Sequence, residues 1–416
     1  MRSFKFLVVL LSLMVAVLPL GSPRAVEGQE SFPSDVPDAP TGFDNQTNGL
    51  VSQTVHDEDR AAFKANEDIP GGLGPMFNGK SCDGCHSMPV TGGVSTTTEL
   101  RAGHLDANGD FVPATAYVNH GLEPIPERSL INLKATCPDA ESVLLPIDNI
   151  RTLRISTNLL GAGFVEAISD DTLNAVRLSQ PDTMRGQRII VPALEGGSGI
   201  GRFGWKDQHV SLLSFASDAY LNEMGISNQL SPNRHDFTHQ CEDTEANPGQ
   251  VDPEDRQDIE VFARFMRATK APPRDLQLAD TTAARRGANL FTSIGCDTCH
   301  HPSFVTAAPG TLMANGEPVP PALGRKRIYP YSDFLLHKIG TGDGIVQNGP
   351  QNSRNKVRTA PLWGLRTHQV FLHDGAAPTL QDAIQSHGFE AAGTRDSFNS
   401  LSSTQQQDLI TFLLSL

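Results

Sequence analysis

Two copies of one five-residue pattern constrain this 416-residue chain more than any other feature: Cys82-Asp83-Gly84-Cys85-His86 and Cys296-Asp297-Thr298-Cys299-His300. With six Cys and thirteen His in the sequence, chance would supply roughly 0.003 such matches. Two thiols three positions apart can add across the two vinyl groups of one haem. The following His is then carried beneath the iron as proximal ligand. A shared zinc site would need both pairs to converge on one metal and would leave the repeated His without a task. A redox dithiol does not need that His either. The pattern predicts two covalently bound haem c groups, one on Cys82, Cys85 and His86 and one on Cys296, Cys299 and His300.

The repeat extends upstream. Phe77 and Phe291 each stand five residues before the first Cys of their motif, which reads as a short helix whose aromatic packs at the haem edge. In the second copy Asp280 can cap that helix, Ala283 to Leu290 are good helix formers, and Gly287 permits close approach. At the far end, Ser403-x-x-Gln406 opens a helix with Leu409, Ile410, Phe412, Leu413 and Leu416 on one stripe. The expected fold is mainly α: two cytochrome c-like haem domains, with a partly β, loop-rich insertion in the first. Expected boundaries are a signal peptide over 1–25, a flexible leader over 26–48, a first haem domain over 49–250 and a second over 251–416. Within the first, Leu105 to Val112 predicts a hairpin and Ile150 to Ile155 a strand. Asp106, Asn108 and Asp110 resemble a calcium loop, but the Gly is one place early and no Glu closes it, so calcium is unsupported and an Asn-Gly turn is expected. Asp252-Pro253 predicts a helix start running to about Ala268, and Pro272-Pro273 a junction.

The first 25 residues carry Arg2, Lys5 and Arg24 and no acid. The run from Phe6 to Leu20, broken only by Ser12 and Pro19, is short of the ~20 apolar residues of a spanning helix. It predicts a secretory signal, export to the periplasm and no transmembrane helix after cleavage. The formal charge is −14, and losing the leader's three bases makes it more negative still. That balance argues against nucleic acid and anionic lipid as partners and points to a small basic electron donor, a cytochrome c or a cupredoxin. Cys137 and Cys241 remain, and either a disulfide or two free thiols fits their spacing.

Six further segments carry a resemblance: Gly72-Leu-Gly-Pro-Met-Phe-Asn78, Gly201-Arg-Phe-Gly-Trp-Lys206, Glu223-Met-Gly-Ile226, Tyr331-Ser-Asp-Phe-Leu-Leu-His337, Arg358-Thr-Ala-Pro-Leu-Trp-Gly-Leu365, and Phe371-Leu-His-Asp-Gly375 with Thr379-Leu380. With both haem motifs, the chain from about residue 50 to 416 resembles the bacterial di-haem oxidoreductase family, a peroxidase group sometimes labelled thiol oxidoreductase. That family is related to di-haem cytochrome c peroxidases, although the stretch from about 90 to 200 is longer than theirs. The resemblance implies that the second haem takes electrons from the small donor and the first reduces hydrogen peroxide.

In those peroxidases a Met at the end of a short helix is the second haem's sixth ligand. Here His387, fourteen residues past His373, stands at that place, with His337 and then Met313 as alternatives. Arg358 is the implied propionate partner. At the first haem the resemblance implies Trp205 as a relay between the haems. Glu223 is implied as a proton shuttle, provided burial raises its pKa, although an acid on a helix face would look the same. Met224 is a competing iron ligand, and His104 a displaceable one. An electron carrier with both irons six-coordinate is the alternative function, and an oxidase acting on a protein or polymer is a third.

Overall fold

Runs of apolar residues at helical spacing, most opened by a Ser, Thr or Asp that caps the first turn, build the scaffold of this computed structural model. It describes residues 36–118, 123–125, 128–232, 241 and 257–416, so the predicted signal peptide and the Asp252-Pro253 helix start lie outside the described residues. The helices of the first half are α1 (Gln53–Lys64), α2 (Ala162–Glu166), α3 (Asp170–Ser179) and α4 (Leu212–Met224). Those of the second are α5 (Asp258–Ala268), α6 (Leu276–Ala279), α7 (Thr282–Ser293), α8 (Leu380–Gln385), α9 (Ala392–Asn399) and α10 (Ser403–Leu414).

Two helix pairs frame the motifs. α1 packs against α5, and α7 packs against α10. Gly287 makes the second crossing close: a β-carbon there would collide with the Asp408 carbonyl and the Phe412 side chain. Each pair ends in a phenylalanine facing the motif histidine. Phe291 lies 6.4 Å from His300 between ring centroids, and Phe63 lies 6.4 Å from His86. The counterpart of Phe291 is therefore Phe63, on the last turn of α1, and not Phe77. Phe77 sits in a two-residue strand paired with Lys134–Ala135, because the loop from α1 to Cys82 is longer than its equivalent after α7.

Two caps also shift by one residue. Thr281, not Asp280, accepts from the Ala284 N–H to open α7, because Asp280 already closes α6. The capping box of α10 is Ser402 with Gln405. Its apolar stripe is as expected, with Leu409, Phe412, Leu413 and Leu416 buried. The arm expected to be loose is pinned over residues 37–48. Ala39 N–H donates to Arg327 O at 2.8 Å, Gly42 N–H to Ala271 O at 3.0 Å, and Asn48 Nδ2 to Arg267 O at 2.8 Å.

Among the described residues, fifteen short strands connect the helices. The longest, Thr98–Leu105, pairs antiparallel with Phe111–Pro113, Leu130–Ile131 and Ile150–Ile155. It forms the predicted hairpin, with Leu105 opposite Phe111. The Asp106 carboxylate accepts from the Asn108 and Asp110 N–H groups at 2.9 Å each, as an Asn-Gly turn requires. Strands also occur in the second half, where Leu336–His337 pairs with Val357–Arg358. Cys137 and Cys241 form a disulfide across 104 residues, with their α-carbons 5.8 Å apart.

Candidate functional site

The second motif opens onto a cavity of about 210 Å³ lined by Cys296, Cys299 and His300. A 3₁₀ turn over Cys296–Thr298 sets the spacing of its thiols. The His300 Nδ1 lies 3.0 Å from the Tyr331 carbonyl, a contact that fixes Nδ1–H and leaves Nε2 with its lone pair. Opposite stands His387, just beyond the end of α8, with Nδ1 2.8 Å from the Ala383 carbonyl. The two ring centroids are 6.5 Å apart. Two imidazoles sharing one iron, at ~2 Å per metal–nitrogen bond, would have their centroids about 6 Å apart. Burial, and then the charge of His387, pushes the His300 imidazole down to about 4, so it is neutral and able to ligate.

The rival ligands are engaged elsewhere. His337 lines this cavity, but its Nε2 is 2.8 Å from Asp333 and its Nδ1 2.9 Å from Glu390. Burial works against its charge, but Asp333 outweighs that and holds the imidazole well above its ordinary value, so both nitrogens carry protons. Met313 lies in a turn where its backbone bonds Glu317, away from the cavity lining. Arg358 is buried on the cavity wall, with Nε donating to Gly204 O at 2.7 Å. Two histidines there have nitrogens without a hydrogen bond among the described residues: half-buried His368 at Nε2, and buried His373 at both positions, its Nε2 lying 4.0 Å from the Asp343 carboxylate.

The first motif opens onto a smaller cavity of about 80 Å³, lined by Cys82, Cys85 and His86 and roofed by α4 and α5. His86 Nδ1 faces the Gly93 carbonyl at 3.3 Å, and burial pushes its imidazole down to about 4. The lining also holds Met224, Met266, Tyr220 and Glu223 and, among the described residues, no second histidine. Two segments of the resemblance meet here. The Gly74 N–H donates to Met224 O at 2.9 Å, the Asn78 N–H to Glu223 O at 2.7 Å, and Asn78 Nδ2 to Glu223 Oε2 at 2.8 Å. Gly225 ends α4 at φ +76°, a left-handed position that a glycine fills without strain. Burial, then the charge of Glu99 and a hydrogen bond with it, holds Glu223 well above the ordinary carboxylate value. Glu99 goes the other way: burial would raise it, but Arg101, 2.6 Å away, holds it low. The two carboxyls thus share one proton beside the cavity.

His104 does not reach either cavity. It sits on strand Thr98–Leu105 with Nδ1 2.9 Å from Asp148, because strand alternation turns it to that carboxylate. Trp205 lines the second cavity, its Nε1–H donating to Ile155 O at 2.8 Å and its ring edge-on to His373 at 6.1 Å. The run that follows Ile155 separates the sites: Ser156, Thr157 and Asn158 line the second cavity, and Leu159 lines the first. Phe63, Glu99, Tyr220 and His368 escaped sequence reasoning. Only Phe63 left a signal, as the aromatic on the last turn of an amphipathic helix ahead of the motif.

The residues present fit a haem at each motif. Thiols and an oriented histidine share each cavity, and the His368 Nε2 without a hydrogen bond and Arg358, both lining the second cavity, are donors suited to propionates. A dithiol redox role does not fit, because burial pushes Cys82 and Cys296 up to about 12 and Cys85 up to about 11, far from the acidic thiols such chemistry uses.

The sequence profile of the family described as "Di-haem oxidoreductase, putative peroxidase" matches residues 133–416. No curated protein matches the sequence. Among solved structures the chain is similar to hydrazine synthase of Kuenenia stuttgartiensis, at 15% identity and TM-score 0.38 over 95% of this chain and 100% of that one. It is also similar to a MauG-like protein associated with microbial copper homeostasis, at 14% identity and TM-score 0.41 over 93% and 94%. A third is the di-haem peroxidase BthA of Burkholderia thailandensis, at 15% identity and TM-score 0.42 over 87% and 86%.

Proposed function

Because the chain belongs to the di-haem oxidoreductase family, we propose that it is an exported c-type di-haem peroxidase. In this reading the second site relays electrons from a small redox protein, and the first reduces hydrogen peroxide. Each site holds one haem by two thioether bonds, on Cys82 and Cys85 and on Cys296 and Cys299. In this reading the first haem unit runs past the expected boundary at 250 to take in α5, which packs on α1, and the second begins after Pro272-Pro273.

The observation that carries this reading is the unequal pair of distal faces. His387 stands opposite His300 and closes the second site with a second imidazole. Among the described residues the first offers no such imidazole and has Glu223 beside its cavity instead. When bound, the iron supplies the electrons and the place at which the peroxide oxygen–oxygen bond breaks. The chain's own residues do the rest. His300 and His387 hold their rings by carbonyl contacts on Nδ1, and Arg358 and His368 offer donors to the propionates. Glu223, protonated at Oε1 because Oε2 accepts from Asn78 Nδ2, would give that proton to the departing oxygen and take up a new one from solvent, since Glu99 is held ionised. Asn78 fixes the carboxyl's direction. Trp205 and the Ile155–Leu159 run lie on the route between the sites and carry the electron. Met224 is the competing occupant of the first site's sixth position, and with it bound to iron the protein would be a carrier.

Steady-state oxidation of a reduced cytochrome c by hydrogen peroxide, catalysed by the purified di-haem protein, tests the reading. Peroxide-dependent turnover is expected. Rapid electron exchange with the donor and no peroxide consumption would leave the carrier.

A further inference from the structure

Tyr220 lies on the wall of the first cavity and is 2% exposed. Its phenolic O–H donates to Asp258 Oδ2 at 3.0 Å and faces Glu67 Oε1 at 3.3 Å. These carboxylates come from two other elements, Glu67 from the loop after α1 and Asp258 from the first turn of α5, and neither is fully buried. A phenol that loses an electron becomes a far stronger acid, and it is oxidised readily only where a base already holds its proton. Here that base is in place. Burial, then the negative charge of Asp258, raises the proton affinity of Glu67, as expected for two acids crowded together.

An aromatic chain joins this phenol to the motif. Tyr220 packs edge-on against Phe262 at 5.2 Å, Phe262 against Phe63 at 6.1 Å, and Phe63 stands 6.4 Å from His86. The other candidates lack one element or the other. The indole N–H of Trp205 points at the Ile155 carbonyl, which cannot take a proton. Tyr329 bonds Asp38 but is 39% exposed and lines neither cavity.

We propose that Tyr220 is a redox-active residue of the first site, giving one electron to that site and its phenolic proton to Asp258. The proposal rests on the peroxidase reading above. Reducing one hydrogen peroxide to two waters takes two electrons and two protons. Tyr220 supplies one of the electrons, its O–H bond breaks, the proton forms the Asp258 carboxylic acid, and a neutral phenoxyl radical remains. The external donor later returns the electron, and Asp258 returns the proton. The arrangement moves an oxidising equivalent from the buried cavity toward the surface at Glu67 and Asp258, where an organic one-electron reductant could meet it.

The test is freeze-quench electron paramagnetic resonance of the ferric holoprotein mixed with a few equivalents of hydrogen peroxide, with optical spectra of the haems in parallel. A tyrosyl signal is expected, collapsing in hyperfine width when ring-deuterated tyrosine is incorporated. Tyr220→Phe should abolish it while the haem optical response to peroxide persists. Asp258→Asn should cut radical yield at least tenfold, and this variant keeps the test intact if Tyr220→Phe fails to load haem. A haem response with no radical, or a radical that survives Tyr220→Phe, overturns the proposal and leaves the peroxidase reading standing. No haem response to peroxide overturns both.

Discussion

The two motif histidines are held alike. Each presents Nδ1 to a backbone carbonyl, and each faces a phenylalanine 6.4 Å away on the helix that precedes its motif. What stands across each cavity differs, and the difference comes from the distal helix. At the second site the six-residue α8 ends just before His387, whose ring centroid is 6.5 Å from that of His300. At the first site the thirteen-residue α4 ends in Glu223-Met224, tied down by the Gly74–Asn78 loop. The proximal half is repeated and the distal half is not. In the proposed reading, identical attachment chemistry serves one closed iron and one reactive iron, and the division of labour resides in the distal residues.

The most severe way to break the comparison is to erase one half of it. Cys82→Ala with Cys85→Ala should leave a protein that keeps one haem through acid–acetone extraction, and the wild type should keep two, as read by intact mass. Loss of both haems from the variant would mean that the sites do not load independently. The next largest effect belongs to the first site. Glu223→Gln should slow peroxide reduction by about 10²- to 10⁴-fold, the usual worth of a placed proton donor, with the second haem's spectrum unchanged. An unaltered rate would reduce Glu223 to an acid on a helix face. At the second site His387→Met should raise that haem's potential by on the order of 0.1 V, since thioether favours ferrous iron more than imidazole does. Potentiometric titration reads this, and an unmoved potential would place the ligand elsewhere.

Smaller effects sharpen the picture. His337 binds its proton more tightly folded than unfolded, through Asp333 and Glu390. Its contribution to stability is therefore fully present below its ordinary value near 6.5 and is lost as pH rises through the raised folded value. Thermal melts of the wild type should decline on the alkaline side. His337→Gln should remove that slope and cost roughly 3 kcal/mol at neutral pH, as breaking a buried pair does. Parallel pH curves for the two proteins would refute the charged assignment. Last, a basic donor should reduce the protein about 10-fold faster than an acidic one at low salt, and the advantage should shrink as salt is added. Stopped-flow rates independent of salt for both donors would indicate a hydrophobic contact instead.

The sequence was most legible where chemistry demands fixed spacing. Both Cys-x-x-Cys-His motifs lie at cavities, and His387 faces His300 although it is 87 positions away in a chain read only by analogy of helix ends. The strand Ile150–Ile155 was legible from β-branched alternation. What could not be read depends on three-dimensional pairing. Phe77 occupies the right position in the sequence, but the long loop after α1 moves it into a strand, and Phe63 takes its place. His104 has a plausible spacing, yet strand geometry commits it to Asp148. Glu99 reaches Glu223 from 124 positions away, from the stretch that matches the peroxidases least. Local propensity says nothing about such a contact. The caps at Thr281 and Ser402 miss by one residue because adjacent Ser, Thr and Asp are nearly equivalent until the preceding turn is fixed.

The central claim is the asymmetry of the two irons, and low-temperature electron paramagnetic resonance of the ferric holoprotein tests it most directly. The account predicts one low-spin signal of bis-imidazole type that disappears in His387→Ala, together with a second, different signal that the substitution leaves alone. Two bis-imidazole signals, or a single one that survives His387→Ala, would contradict it.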